Sequence, residues 1–482
     1  MLDVAGPAMN INFLSLPLRR AGLLLAAALL AGCASYTDQT EQLRAAWAVG
    51  AYPQAAKIAA GAAQHSNRVD TVLWNLEAGA AARAAGDFPG SLHAFSAADG
   101  LFDYWDNQPD ISITRETAAL LVNPTVLPYR GYDYDRIMES VYQALNYLAL
   151  GQFDQARVEL NRALERQQIA QAHNAARAAA AQQAAADSAA NTGYDAARAQ
   201  KDPRFKSQYQ QTYGPLDSLK YYTDYANPFA TYLRALCLLA RPLSPTDAES
   251  ARVDFARVQA MIGHNDFIDA DLALATQITS GAKLPPLTFV IYETGTAPVR
   301  AEQRIDIPVF LASPDVPYFG VAFPKLNFNS QFSPGLVVQT VGHPALRTAL
   351  LCDMDAVVAQ EFRNDLPEVV VKTLISAGIK AAAEFAAHQG TKDHENLDTI
   401  TQLFGLVYQY ATNRADLRTW TTLPKQIQFA RLPAPADHKL YLARAGVTES
   451  LEVDLPDSPV TMVLVQSTSP DGRLAIQTFS LR

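Results

Sequence analysis

Cysteine is scarce in this chain, with three residues in 482, at Cys33, Cys237 and Cys352. That is too few for a disulfide framework to stand in for a hydrophobic core. Basic runs are missing as well. Lys and Arg number 39 against 48 Asp and Glu, a formal net charge of −9, and no stretch concentrates the cations. A nucleic-acid partner is therefore not expected, because phosphate binding needs a clustered basic face. No apolar run comes near the ~20 residues of a membrane-crossing helix except Val369 to His388, which Lys372, Lys380 and Glu384 interrupt. At 49% hydrophobic and 18% charged residues, the composition excludes both wholesale disorder and a multi-span membrane protein.

Catalytic signatures are absent too. There is no Gly-x-Ser-x-Gly turn, Gly-x-Gly-x-x-Gly loop, Walker loop or His-Glu-x-x-His helix. The eight histidines are scattered, and only His388 and His394, beside Asp393 and Glu395, gather ligand-type side chains. A solvated inter-helix loop accounts for that cluster. Asp353 and Asp355 form a carboxylate pair, but acids favour helix N-termini for dipole reasons alone. The expectation is a chain with no catalytic residue, no metal site and no cofactor.

What is present begins at Leu30-Ala31-Gly32-Cys33. Arg19 and Arg20 precede the apolar run Ala21–Leu30, the pattern of a signal peptide over residues 1–32. The small residues before Cys33 look like a bacterial lipobox, in which the thiol is acylated before cleavage; residues 33–36 would then be a lipidated tether. An ordinary secretory signal with an incidental Cys33 is the alternative. Asp3 is an odd charge for such a segment, so translation is expected from Met9 rather than Met1. Cys237 and Cys352 remain either to pair in an oxidising compartment or to sit as buried thiols.

Residues 37–283 carry helical periodicity with a recurring unit. Tyr142 to Ala163, with Gly151, Phe153 and Ala156, resembles a tetratricopeptide repeat. The spacing recurs at Gly79, Gly86, Phe88, Phe95 and Ala98, and again at Gly50, Tyr52, Ala55 and Ala59. A glycine at each turn can adopt positive φ, and the alanines let paired helices approach. A fainter unit spans Asn227 to Met261 with a proline-containing turn, Arg241 to Thr246. Between units lies a connector containing Tyr129, Arg130, Tyr132, Asp133, Tyr134 and Arg136. This is either a partner-binding loop or an ordered segment whose rings pack on neighbouring helices. Residues 164–200 are rich in Ala and Gln with little to bury, which predicts an exposed, mobile helical extension. The inward positions Met138, Val141, Leu145 and Leu148, and Phe229, Tyr232, Leu236 and Leu239, are almost wholly apolar and must be covered. The expected cover is one of the chain's own insertions, 101–128 or 205–225, with an apolar ligand as the alternative.

Pro285-Pro286 marks a change to short β-rich runs bounded by Pro and Gly. Residues 284–482 therefore read as a β-rich domain with a helical insertion at 352–413. One helix begins at Asp353, a second is capped at Asp365-Leu-Pro-Glu368, and a third covers Asn396 to Ala411. Ser469-Pro-Asp-Gly472 turns a terminal hairpin. The fold class is α+β and multidomain, with a tetratricopeptide-like α-helical repeat domain followed by the β-rich domain, as the length also suggests.

Taken together, the lipobox, the repeat Tyr142–Ala163, the Tyr129–Ile137 stretch, Asn227–Leu233 and Thr422–Arg431 resemble an uncharacterised family of bacterial tetratricopeptide-repeat-like outer-membrane lipoproteins. The resemblance implies a lipid-anchored adaptor on the periplasmic face of the outer membrane. It would hold the membrane through Cys33 and bind a protein partner of the cell envelope, with a possible link to peptidoglycan synthesis. A carrier of an apolar ligand or lipid, and a hydrolase whose site is not legible in sequence, are the alternatives.

Overall fold

A computed structural model of the chain describes residues 36–66, 69–108, 125, 127–192, 194–222, 226–308, 318–391 and 414–482, the side chains of Thr37, Thr192 and 379–391 excepted. Residues 1–35 with Cys33, the insertion 109–124, the His388–Glu395 cluster and the helix expected at 396–411 lie outside what is described. The chain is mixed α+β, with helices in its N-terminal half and sheets towards its C-terminus. The helices before the first strand are α1 (Tyr36–Gln39), α2 (Glu41–Ala48), α3 (Tyr52–His65), α4 (Thr71–Ala84), α5 (Phe88–Asp106), α6 (Asp133–Ala149), α7 (Phe153–Thr192), α8 (Ala196–Lys201), α9 (Pro203–Tyr213), α10 (Pro228–Ala240), α11 (Asp247–Ile262) and α12 (Asp266–Thr279).

Short turns through Gly50, Gly86 and Gly151 join α2 to α3, α4 to α5 and α6 to α7, and the three glycines have φ of 73°, 82° and 71°. Each such pair packs against itself as a hairpin. In the α4–α5 pair the contact is closest at Gly79, where a Cβ would come within 2.6 Å of the Phe95 ring.

The strands are β1 (Leu287–Thr294), β2 (Val299–Pro308), β3 (Tyr318–Asn327), β4 (Leu336–Gln339), β5 (Leu346–Arg347), β6 (Ala349–Asp353), β7 (Gln426–Pro433), β8 (Lys439–Arg444), β9 (Leu451–Asp454), β10 (Val460–Ser467) and β11 (Ala475–Ser480). Five of them form a sheet in the order β11-β10-β1-β7-β6, four a sheet in the order β5-β4-β8-β9, and β2-β3 a ribbon. Within the larger sheet β1 pairs parallel with β10 and antiparallel with β7.

Strand alternation divides the five-stranded sheet into two packed faces. Phe289, Ile291, Phe429, Met462 and Leu464 join the core of the helices. Their neighbours Val290, Tyr292, Ala430, Val463 and Val465 pack on Leu336, Val338, Leu440 and Leu442 of the smaller sheet. The result is three layers, helices on sheet on sheet, and β1 is buried along its whole length.

The apolar inward positions of the helices are covered, as the sequence required: Met138, Val141, Leu145, Leu148, Phe229, Tyr232, Leu236 and Leu239 are all buried. The five-stranded sheet supplies part of that cover, with Phe429 against Tyr232 at 5.0 Å between ring centroids, and Leu101, Phe102, Trp105 and Tyr222 of the expected segments pack on the same core. The change of periodicity at Pro285-Pro286 is thus a change of secondary structure across which one core continues.

Two expectations for the helical segments need correction. Past β6 the chain forms one helix, α13 (Met354–Thr391), running through Pro367 where a break and a new cap were predicted. Leu366, Val370, Val371 and Leu374 are buried in a second core with α9, β2 and β3, and that burial outweighs the one hydrogen bond a proline removes. The Ala/Gln-rich stretch is the distal part of the forty-residue α7, and it is not exposed throughout. Ala170, Ala181, Ala185 and Ser188 are buried, because a face of small side chains lets α7 lie close along α13. At the end of that contact the Tyr194 ring sits directly over Gly378, leaving no room for a side chain there.

Candidate functional site

A cleft of about 280 Å³ lies where the α6–α7 turn meets the end of α10. Its floor is apolar, built from Leu148, Leu160, Leu238 and Leu481, with Phe153 on one wall and the Cys237 thiol between. Gly151 makes the turn that delivers Phe153 to the wall, and Gln152 N–H closes it on the Tyr147 carbonyl at 2.8 Å.

The opposite wall is held by Asp247 at the start of α11. Its carboxylate accepts Leu243 N–H and Ser244 N–H at 2.7 and 3.2 Å and both terminal nitrogens of Arg157 at 2.7 and 2.8 Å. The Arg157 hydrogen bonds hold its carboxyl well below the usual carboxylate range. This bidentate pair ties the proline-containing turn 241–246 to α7. Arg234 is likewise engaged, by Asn161 Oδ1 at 2.9 Å and by the Asp254 carboxylate.

Arg241 is held differently. Its Nε donates to the Leu481 carbonyl at 3.0 Å and its guanidinium carbon lies 3.8 Å above the centre of the Phe153 ring. It has no carboxylate partner among the described residues. Burial pushes the Cys237 thiol up to about 12, so it stays neutral and unreactive at physiological pH. Cys237 and Cys352 are both free, which answers the pairing question in favour of two thiols. Leu243, 69% exposed, forms the outer rim.

Five of the six residues singled out from sequence as a partner-binding loop are turned to other work. Tyr129 and Tyr134 are buried; Tyr129 OH donates to Asp135, and the Tyr132 and Tyr134 rings stack at 5.4 Å. Arg300, itself buried, lies 4.0 Å from the Tyr132 ring centre. The backbone N–H groups of Asp133 and Tyr134, at the N-terminus of α6, donate to the two Glu361 oxygens of α13 at 2.7 and 2.9 Å. Asp133 also pairs with Arg177 of α7 at 2.9 Å. Arg136 grips Asp106 at 2.6 and 2.8 Å and donates to the Arg130 carbonyl at 2.9 Å. The segment is thus the ordered connector of the two sequence alternatives. Its rings are more stable packed between α6, α13 and β2 than in water, and it offers little free surface to a partner. Arg130 is half-buried.

Of the cleft residues, the sequence marks Phe153 and Arg241 only as repeat and turn positions, and Arg157 and Asp247 not at all. The signal that could have marked them is the one repeat turn that departs from glycine, because a proline-containing loop of six residues leaves a notch that a tight turn would close. Among the described residues no group of three His, Cys, Asp or Glu side chains is placed to hold a metal, and no helix is long and apolar enough to cross a membrane. Asp355 is drawn into a buried pair with Lys425. Compared with family models, curated proteins and solved structures, the chain matches none.

Proposed function

We propose that the protein is a lipid-anchored adaptor of the bacterial cell envelope. Acyl chains on Cys33 hold it at the periplasmic face of the outer membrane, and a layer of tetratricopeptide-like hairpins presents it to a protein partner. The observation that carries this reading is the succession of hairpins α2–α3, α4–α5 and α6–α7, each closed by a glycine of positive φ; layers of this kind offer extended surfaces to other proteins. Because the sheet occupies the inner side, the partner docks on the outer side of the helices. The link to peptidoglycan synthesis rests on the family resemblance alone. Several acyl chains anchor stably where one does not, so the triacylated protein resists extraction by salt.

The test is cross-linking in intact cells followed by purification from solubilised membranes. The wild type should recover a stoichiometric envelope protein, and Cys33→Ser should incorporate no palmitate and lose that partner. Palmitate labelling that survives in Cys33→Ser sinks the anchor; a wild type that captures nothing stoichiometric sinks the adaptor.

A further inference from the structure

The position of Tyr36 along the long axis of the molecule carries an inference that rests on the Cys33 anchor and deepens it. We propose that the anchor lays the body of the protein flat on the bilayer, with α7 running along the lipid surface, and does not hold it out on a flexible tether.

Reach is the first argument. The sequence suggests a tether over residues 33–36, yet Tyr36 already belongs to the core. It is 7% exposed. Its hydroxyl donates to Glu77 Oε1 at 3.0 Å, its ring packs on Trp74 at 5.4 Å between centroids, and its carbonyl accepts the Thr40 N–H at 2.9 Å. Only Ala34 and Ser35 lie between it and Cys33. A fully extended chain covers ~3.6 Å per residue, so Tyr36 stays within ~11 Å of an acylated Cys33. The acyl chains fix that cysteine at the headgroups, a layer only ~5–8 Å deep.

Position along the axis is the second. Trp74 and Glu77 lie in the first turns of α4, and α4 and α6 start at the same end of the helical layer: the Tyr129 N–H donates to the Val69 carbonyl at 2.7 Å, and the Tyr129 hydroxyl to Asp135 in the first turn of α6. From that level α6 runs ~25 Å to the Gly151 turn, at ~1.5 Å per residue. α7 returns along α6, passes the same level where Arg177 meets Asp133 at 2.9 Å, and continues ~22 Å to Thr192. The anchor is therefore attached near mid-length, and the body overshoots it in both directions by more than the reach of the tether. Standing α7 upright either way would bury one end in lipid: Asp154 at the turn, or Asp187, Arg198 and Lys201 at the tip, all exposed. Charges in hydrocarbon are costly, and no described helix is long and apolar enough to cross a membrane. Only the recumbent pose keeps both ends in water, and it sets the edge carrying α1, with Asp38 and Gln39 exposed, against the headgroups.

The test uses the full-length acylated protein in nanodiscs whose headgroups carry an energy-transfer acceptor. Donor dyes are placed singly, through a clickable amino acid, at Gln39 beside the anchor and at Gln155 and Asn191, which are exposed on the same side of α7 about ten turns and ~54 Å apart. Transfer should be strongest from Gln39 and should agree within about twofold between Gln155 and Asn191. An upright molecule would give strong transfer from one of those two and almost none from the other, which would overturn the proposal. Inserting about twenty Gly and Ser residues after Ser35, a coil of ~25 Å, should lower transfer from Gln39 by about twofold or more and leave the melting temperature unchanged. Undiminished transfer would show that the body adheres through its own surface and not through a short tether, and would overturn the proposal too. A protein that does not enter the nanodisc at all refutes the Cys33 anchor and the pose with it. A disc-bound protein with unequal ends refutes the pose alone and leaves the anchor standing.

Discussion

Asp135 is wholly buried in α6, where it accepts the Tyr129 hydroxyl and, at 2.9 Å, the Tyr132 N–H. Burial nevertheless pushes its carboxyl up to about 7, well above the ~3.9 of an unfolded chain. Between those values the folded protein keeps a proton that the unfolded chain has released, so stability falls as pH rises through that window and levels off above it. Asp135→Asn removes the titration and should gain on the wild type by roughly a few kcal/mol between pH 4 and pH 8, read from urea midpoints at several pH values. Parallel curves for the two proteins would contradict it. Glycine gives a second contrast. Gly50 and Gly151 have nearly the same positive φ, but a Cβ on Gly50 would lie 2.6 Å from the Arg473 backbone nitrogen while none lies within 4 Å at Gly151. Gly151→Ala should lower stability by about 1 kcal/mol, and Gly50→Ala by clearly more, as measured by chemical unfolding. These glycines were legible in the sequence because a left-handed turn admits few other residues. The direction of the Tyr129–Arg136 side chains was not, since aromatic rings among charges suit a buried network and an exposed loop equally well. Arg241 was illegible for a different reason: its role depends on Phe153 and Leu481, residues 88 and 240 positions away.

Helices and strands were for the most part visible in the pattern of apolar residues, and the misreadings share one cause. Alanine has so little surface that its burial leaves no periodic signal, so the distal half of α7 read as a face with nothing to cover. In fact Ala181 and Ala185 set the spacing between α7 and α13. Ala181→Leu should overpack that contact, lowering stability by about 1–3 kcal/mol, with a lower urea midpoint as the readout; an unchanged midpoint would mean the helices do not rest on each other there. Pro367 misled in the opposite sense, because a residue that usually ends a helix was carried within one by the apolar side chains around it. Glu361 of α13 does for α6 what a local N-cap would do, taking the first amides of another helix, and nothing in the neighbourhood of Asp133 announces a partner 228 residues on.

At the scale of the whole molecule, the helices and the five-stranded sheet cannot be separated without opening a common core. The buried Arg83–Glu293 pair joins α4 to β1, and Glu77 of α4 accepts the Thr421 N–H at 2.6 Å and the Thr422 hydroxyl at 2.6 Å. A fragment ending at residue 283 would leave Leu145, Tyr232 and Leu236 in water, a patch larger than monomers usually tolerate. It should aggregate or bind hydrophobic dyes, whereas the intact chain should melt its helices and its larger sheet in a single transition by circular dichroism and calorimetry. A soluble, fully helical fragment would show that the layers are independent. The contacts that close the core also reach almost the full length of the chain. Tyr52 OH donates to the Arg473 carbonyl at 2.9 Å, and Arg473 N–H returns to the Val49 carbonyl at 3.2 Å. Thr468 completes the seam on the carbonyl of Trp47 at 2.5 Å. Residues 47–52 therefore leave the ribosome more than 400 residues ahead of the partners that lock them in place. Local hairpins can form as the chain emerges, but the long loop must be closed before the core pays back its ordering, so folding finishes slowly and only after synthesis of the C-terminal strands. During that interval the unsealed inner face of the helices is the part of the molecule most in need of a chaperone.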